Sequence, residues 1–294
     1  MLAYTPYLIL LLPLLAAVSI RIFLHPFPRI SVAVSTLACL GSFVGSLSLL
    51  VFGSVLGGVA APSLPWVEVA GFRANFGLMG DPLARGMATL VSGVAFLVHL
   101  YSIGYLEKDP SRSRFFAELS LFVFSMLGIV LADNLVSMFI FWELVGLSSY
   151  LLIGFWVERP AAGSAANKAF LVNRVGDFGF MLGILGVWAL LGTFHFSEFS
   201  ARVSELPVGW GVTAVGLGLF CGCLGKSAQF PLHVWLPDSM EGPTPVSSLL
   251  HAATMVVAGV YMLIRVLPIL ELSQVTMMTI AWVGGLMTLF PALI

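Results

Sequence analysis

The sequence predicts an all-α, polytopic membrane protein of about nine transmembrane helices, one of them broken near Pro231. Three observations lead there. Of 294 residues, 59% are hydrophobic and only 9% charged, too apolar for a soluble domain of this length. Apolar windows recur at the roughly 20 residues that cross about 30 Å of hydrocarbon. Residues 211–224 (GVTAVGLGLFCGCL) carry no charge yet lead into Lys226, and Pro231 follows about one turn later, where it removes a backbone donor. A net charge of −1 leaves no basic surface of the kind that binds nucleic acid.

The first span, at about 4–20, has no basic segment before it and no small-residue cleavage site after it, so it reads as a retained helix, not a signal peptide. Spans two to six follow at about 30–58, 79–101, 115–132, 134–156 and 169–192. The seventh, 211–236, is interrupted at Pro231 and Pro237, and residues 237–245 (PDSMEGPTP) are dense in helix breakers. Pro245 is suited to open the eighth span, 245–268, and the ninth covers 276–294. Glycine pairs at helical spacing, Gly41 with Gly45 and Gly218 with Gly222, read as points of close helix contact.

Loops after spans one, three and five hold Arg21, Arg29, Lys108, Arg112, Arg114, Arg159 and Lys168, against Arg73, Arg202 and Arg265 on the other side. The positive-inside rule therefore puts the N-terminus outside and the loops near residues 25, 110 and 163 in the cytoplasm. The last span reaches Ile294 without a flanking polar anchor, which suggests a truncated or split chain.

Ionisable groups inside the membrane are read as functional first, because each costs roughly 2.5–3.5 kcal/mol at mid-bilayer on insertion scales. Four stand out: Glu143, Asp177, Lys226 and His251. Glu143 lies roughly nine residues, or about 13 Å, into its helix. It would stay ionised if Lys226 lay on a facing helix, and such a pair can be switched by a proton or by a change in separation. The competing account is a static salt bridge fastening two helices. His251 lies about 9 Å into its helix and suits proton hand-over, whereas alone it would more often be hydrogen-bonded to a serine or to Thr254. Asp177 follows Arg174 by three residues, so a local neutralising pair is its simplest account. Of the other histidines, His25, His99 and His195 sit in or near loops or helix ends, and His233, just past the break, is placed to line a wet path.

Other signals carry less. Gly225-Lys226-Ser227 looks like the end of a phosphate-binding loop, but Phe220 stands where that motif needs glycine, and no strand precedes it. Cys39, Cys221 and Cys223 lie in apolar segments, without metal or redox spacing.

The stretches LADNLVSMFIFWELVGLSSYLLIGFW (131–156), NKAFLVNRVGDFGF (167–180) and GKSAQFPLHVWLPDSMEGPTPVSSLLHAATMVVAGVYMLIR (225–265) closely resemble the large antiporter-like membrane subunits of respiratory complex I, the subunit-L family of NADH-quinone oxidoreductases. They resemble more loosely the largest subunits of multisubunit sodium/proton antiporters, membrane-bound hydrogenases and bicarbonate-accumulating complexes. The Glu-Gly-Pro-Thr-Pro loop and the Leu-Val-Gly-Leu-Ser-Ser-Tyr run after Glu143 favour the complex I branch.

The resemblance implies an antiporter-like fold of two inverted five-helix repeats, each with a broken helix and half of a proton path. Residues 1–114 are then three N-terminal helices, 115–268 the first repeat, and 269–294 the start of a second. It further implies that Glu143 pairs with Lys226, that His251 continues the path, and that Asp177 takes part. The implied activity is proton translocation in an NADH:quinone oxidoreductase, a translocase whose redox chemistry lies in other subunits. No cofactor is expected in this chain; FMN, iron-sulfur clusters and quinone belong to partner subunits. Its partners would be other complex I membrane subunits in a hetero-oligomer, the lipid bilayer and protons, at the inner (plasma) membrane of the cell. The rivals are a Na⁺/H⁺ antiporter subunit, a non-pumping structural subunit and a role in inorganic-carbon uptake.

Overall fold

The computed structural model describes residues 4–53, 59–69, 72–204, 206 and 209–293. Of the expectations above, the tail of the second span at 54–58, Ile294 and the side chain of Arg73 lie outside the described residues. The chain order is α1 (Thr5–Ser19), a π-helical turn (Ile20–Leu24), α2 (Pro28–Phe52), four short strands, α3 (Pro82–Tyr105), α4 (Arg112–Leu131), α5 (Leu135–Ile153) and α6 (Pro160–Leu191). There follow α7 (Phe196–Val203), α8 (Trp210–Lys226), two 3₁₀ turns, α9 (Thr244–Ala252), α10 (Met255–Arg265), α11 (Leu267–Leu270) and α12 (Gln274–Ala292).

Among the described residues, seven helical segments are long and apolar enough to cross a membrane, counting α9 and α10 as one, and α8 and α12 are shorter apolar helices. These nine coincide with the nine apolar windows, because the length of the hydrocarbon layer is written directly into run length. The protein is a multi-pass membrane protein.

Helix α4 is the most buried and packs against α1, α2, α3 and α5. Lipid tails are as apolar as leucine, so helix association in a bilayer needs close contact and polar bridges. Serines supply the bridges: Ser35 Oγ lies 2.7 Å from Ser120 Oγ, and Ser42 Oγ donates to the Ile9 carbonyl at 2.8 Å. Glycines supply the contact. A Cβ on Gly41 or Gly45 would stand 3.0 Å from Leu12 or 2.9 Å from Ile9, so both face α1, as their spacing implied.

Five details depart from the apolar windows, the first being that α8 ends at Lys226, five residues before Pro231 and ten short of the window 211–236, leaving only a 3₁₀ turn at Leu232–Trp235. Helix α6 begins at Pro160, nine residues before its apolar window; Ala-Ala-Gly-Ser-Ala-Ala-Asn-Lys is helix-compatible but too polar to register as membrane. Between α2 and α3, β2 (Leu64–Val69) pairs antiparallel with β3 (Phe72–Phe76), and β1 (Val59–Ala60) with β4 (Met79–Gly80). The short amphipathic helix α7 fills the loop after α6. The eighth span is split at Ala253–Thr254, where the Thr254 hydroxyl donates to the Leu249 carbonyl at 2.5 Å and competes with the helical ladder.

The ends of α3 and α10 on one side are clamped together. Asp81 caps α3 by accepting from the Ala84 amide at 2.8 Å and receives Arg265 Nη1 and Nη2 at 2.5 and 2.8 Å. Arg265 Nε donates to the Tyr261 hydroxyl at 2.9 Å, and that hydroxyl donates to the Val130 carbonyl of α4 at 2.6 Å. Burial pushes the Asp81 carboxyl up, but the Arg265 and Ala84 hydrogen bonds overcome this and hold it below 3.8. A depressed carboxylate contributes stability above its unfolded pKa and loses it as pH falls through the folded value. Asp81→Ala is therefore expected to cost about 2 kcal/mol at neutral pH and to flatten the acid limb below about pH 4. Thermal melts of the detergent-solubilised chain across pH check this; an unchanged midpoint at pH 7 would refute the clamp.

Candidate functional site

Lys226 is the last residue of α8 and is fully buried. It is brought to α6 by bare backbone: a Cβ on Gly176 would stand 2.8 Å from the Cys221 carbonyl oxygen and 3.0 Å from Gly225 Cα. No side chain separates the two helices there, so Asp177, next to Gly176, comes within reach of Lys226. Lys226 Nζ donates to Asp177 Oδ2 at 3.4 Å, and the two side chains are 1% and 3% exposed. The other oxygen, Asp177 Oδ1, accepts from Trp142 Nε1 at 2.6 Å. Lys226 Nζ also lies 5.9 Å from the Trp142 ring centroid, and a Cβ on Gly146 would be 2.9 Å from it. The ammonium thus sits over the surface of α5, walled by Trp142 and Gly146 and neutralised from α6.

Glu143 does not pair with Lys226 in this structure. Its partner is Arg174, which also stacks over the Phe170 ring at 4.6 Å. Nor do Arg174 and Asp177 form the local i, i+3 pair that their spacing allows. The short Asp177 side chain points into the α6–α8 contact, while the long, half-exposed Arg174 reaches out to α5. Two charge pairs therefore lie side by side, Lys226–Asp177 inside and Arg174–Glu143 nearer the surface. They are joined along α6 by three residues and along α5 by the adjacent Trp142 and Glu143. A buried pair of this kind is a poor stability device but a sensitive one, since protonating either carboxylate or deprotonating Lys226 changes the net charge of the cluster by one.

His251 lies near the end of α9, at the break in the eighth span. Its Nε2 is 3.1 Å from Ser239 Oγ, and its buried Nδ1 has no hydrogen-bond partner among the described residues. This is a serine partner of the kind the competing account of His251 supposed, and it comes from the loop before α9. Trp235 stands beside the imidazole with centroids 6.4 Å apart, and its Nε1 donates to the Gly225 carbonyl at 3.0 Å, the residue before Lys226. The Trp235 indole thus links His251 to the backbone next to Lys226.

His233 does not line a polar path. It stacks on Phe230 with centroids 5.9 Å apart and borders a cavity of about 320 Å³ whose other lining includes Leu286, Met287, Leu289 and Phe290. His99 is within α3, fully buried, with Nδ1 2.8 Å from the Ala95 carbonyl, not near a helix end.

Residue reading missed Trp142, Gly146, Trp235 and Ser239. Trp142 had a usable signal, standing immediately before an intramembrane carboxylate. The others gain their roles only from the fold. Also unflagged was Asp133, in the turn between α4 and α5, 3.9 Å from His195 Nδ1. Burial raises the Asp133 carboxyl above its ordinary range, and the hydrogen bond from Asn134 and the charge of His195 offset this only in part.

Residues 132–294 match a family model described as NADH:quinone oxidoreductase/Mrp antiporter, transmembrane, and residues 66–116 one described as NADH-ubiquinone oxidoreductase (complex I), chain 5 N-terminus. NAD(P)H-quinone oxidoreductase chain 5 of Synechocystis is 45% identical over 291 residues, 95% of this chain and 43% of that protein. The chloroplastic NAD(P)H-quinone oxidoreductase subunit 5 of Chaetosphaeridium globosum is 48% identical over 233 residues, 78% of this chain and 35% of that one. The chain therefore spans less than half the length of these relatives. Among solved structures, the Mrp complex from Dietzia superposes with a TM-score of 0.76 at 29% identity, over 89% of this chain and 28% of that one. With a predominantly helical, antiporter-like fold and a family match over more than half its length, the chain belongs to the family of NADH:quinone oxidoreductase and Mrp antiporter transmembrane subunits.

Proposed function

We propose that this chain conducts protons in the membrane arm of an NAD(P)H-quinone oxidoreductase, a translocase whose FMN, iron-sulfur clusters and quinone are carried by partner subunits. The observation that carries the reading is the fully buried Lys226–Asp177 pair at the point where α8 stops, with Arg174–Glu143 beside it. Asp177 and Glu143 are the carboxylates, Lys226 the buried cation paired with Asp177, and His251 the titratable group beside Trp235. Residues 115–268 form the functional five-helix unit, and the site of action is an ion-tight membrane such as the inner (plasma) membrane of a bacterium.

In this reading the sequence expectation of a Glu143–Lys226 pair survives as a second arrangement of the same four charges. If Lys226 turned from Asp177 toward Glu143, Arg174 would be freed for Asp177, three residues away on the same helix. Exchanging partners changes which cation neutralises which carboxylate, and a proton taken up by either carboxylate releases its cation for the other, which is what a proton-coupled switch requires. Moving one charge across 100 mV takes about 2.3 kcal/mol, within the range that such an exchange of partly buried pairs can supply.

Glu143→Gln and Asp177→Asn, each in the assembled complex, are expected to reduce NAD(P)H-driven proton pumping severalfold while quinone reduction continues. Pumping at the unmutated rate in both variants would refute the relay. The likeness to an Mrp complex supports one alternative, sodium/proton exchange without redox partners. Proton flux in reconstituted vesicles driven by a sodium gradient, in the absence of NAD(P)H, would establish that alternative and displace this one.

A further inference from the structure

A second polar cluster, sharing no residue with the Lys226 site, lies at the end of the bundle that carries the basic loops. There α1, its π-helical extension, α4 and α5 enclose a cavity of about 290 Å³. Its lining divides in two: Arg21, Arg114 and Glu118 at one end, and Val18, Leu121 and Leu151 at the other. The volume is near the small end of ligand-sized cavities, roughly 300–1,000 Å³.

The polar end is incomplete. Arg114 is held in place: it donates through Nη2 to the Phe155 carbonyl, and its guanidinium lies 4.8 Å from the centroid of the Phe155 ring. Its Nε is nevertheless buried without a hydrogen-bond partner, because Glu118 Oε1 stands 3.7 Å away, beyond bonding distance. Glu118 Oε2 is likewise buried and unpartnered. Arg21 is exposed at the mouth. One buried donor and one buried acceptor, both unsatisfied and four residues apart on the same helix, call for a ligand that offers an acceptor and a donor together.

We infer that this cavity seats the headgroup of an anionic phospholipid that carries a hydroxyl donor, as phosphatidylglycerol does. The phosphate accepts from Arg114 Nε and faces Arg21, the headgroup hydroxyl donates to Glu118, and an acyl chain runs down past Val18, Leu121 and Leu151. Charge selects the sign. Two guanidiniums against one carboxyl leave the mouth positive whichever protonation state Glu118 holds. Phosphatidylcholine satisfies neither requirement, being uncharged overall and without a donor. A soluble phosphate would satisfy the polar end and leave the apolar slot unfilled, and its lack of a tail separates the two sources experimentally. The site is independent of the proton-path reading.

Native mass spectrometry of the full chain in detergent tests this, with phosphatidylglycerol, phosphatidylcholine and inorganic phosphate added separately. The expected result is one retained phosphatidylglycerol, little phosphatidylcholine and no phosphate adduct. Arg21→Gln, at an exposed position, should weaken phosphatidylglycerol retention about fivefold, the effect of one basic residue beside an anionic headgroup. Val18→Trp, which fills the apolar slot, should weaken it while leaving Arg21 and Arg114 in place. Equal retention of the two lipids, wild-type retention by both variants, or a phosphate adduct of similar strength would each overturn the proposal.

Discussion

Lys226→Met is expected to stop proton translocation by the assembled complex while leaving electron transfer to quinone in place. Methionine keeps the length and the apolar stem but removes the cation that contacts Asp177. Without an ammonium there to neutralise it, Asp177 must give up its proton as an unpaired buried charge, at a cost of roughly 2.5–3.5 kcal/mol, which slows passage on the order of a hundredfold. The same variant leaves a buried carboxylate without its partner, a change that typically costs about 3–5 kcal/mol unless the carboxylate takes up a proton. A folding defect could therefore imitate a transport defect, and the double variant Lys226→Met/Asp177→Asn separates them. Asparagine still accepts from Trp142 Nε1 and carries no charge, so the double variant should recover the thermal stability of the parent without recovering pumping. Recovery of both together would reduce the pair to a structural fastener. Proton uptake by inverted vesicles, measured alongside quinone reduction and a melting curve, reads all three quantities.

Gly183→Leu is expected to have the largest effect on folding itself. A Cβ at Gly183 would stand 2.5 Å from the backbone nitrogen of Leu219 and 2.8 Å from the carbonyl carbon of Gly218, so the obstruction is main chain and cannot rotate away. Overpacking a core costs about 1–3 kcal/mol when side chains can adjust, and here α6 and α8 must separate instead. Their separation would also move Asp177 from Lys226, since Gly176 and Gly225 belong to the same seam. Loss of a monodisperse peak in detergent and absence from the assembled complex are the expected readouts. Gly163→Ala, where nothing lies within 4 Å of the added carbon, serves as the neutral control. A normally assembled Gly183→Leu variant would show that the seam tolerates expansion and that the pair is not held by helix contact.

Much of this was readable from the residues. Run length located the nine apolar helices, because a bilayer imposes its thickness on every span regardless of its neighbours. Glycine spacing marked Gly41, Gly45, Gly218 and Gly222 as points of close helix contact, because close approach of helices in lipid depends on the absence of side chains; which helices meet there came from the fold. Charge inside apolar sequence picked out Glu143, Asp177, Lys226 and His251, because burying an ionisable group is costly wherever it occurs. Signals that depend on competition among partners were not readable in this way. The split at Ala253–Thr254 rests on one hydroxyl finding the Leu249 carbonyl, and the short strands between α2 and α3 rest on pairing across a connecting loop.

By itself, then, the sequence determined the class of molecule, the number of apolar spans and which side chains are too costly to bury without purpose. Only the tertiary structure decided who pairs with whom. Lys226 meets Asp177 because glycines bring α6 and α8 together at that level, while Arg174 is long enough to reach Glu143 from the outer face of the same helix. Ion pairing depends on distances of a few ångströms, set by the rotation and spacing of whole helices, and one-dimensional spacing carries no such information between separate helices.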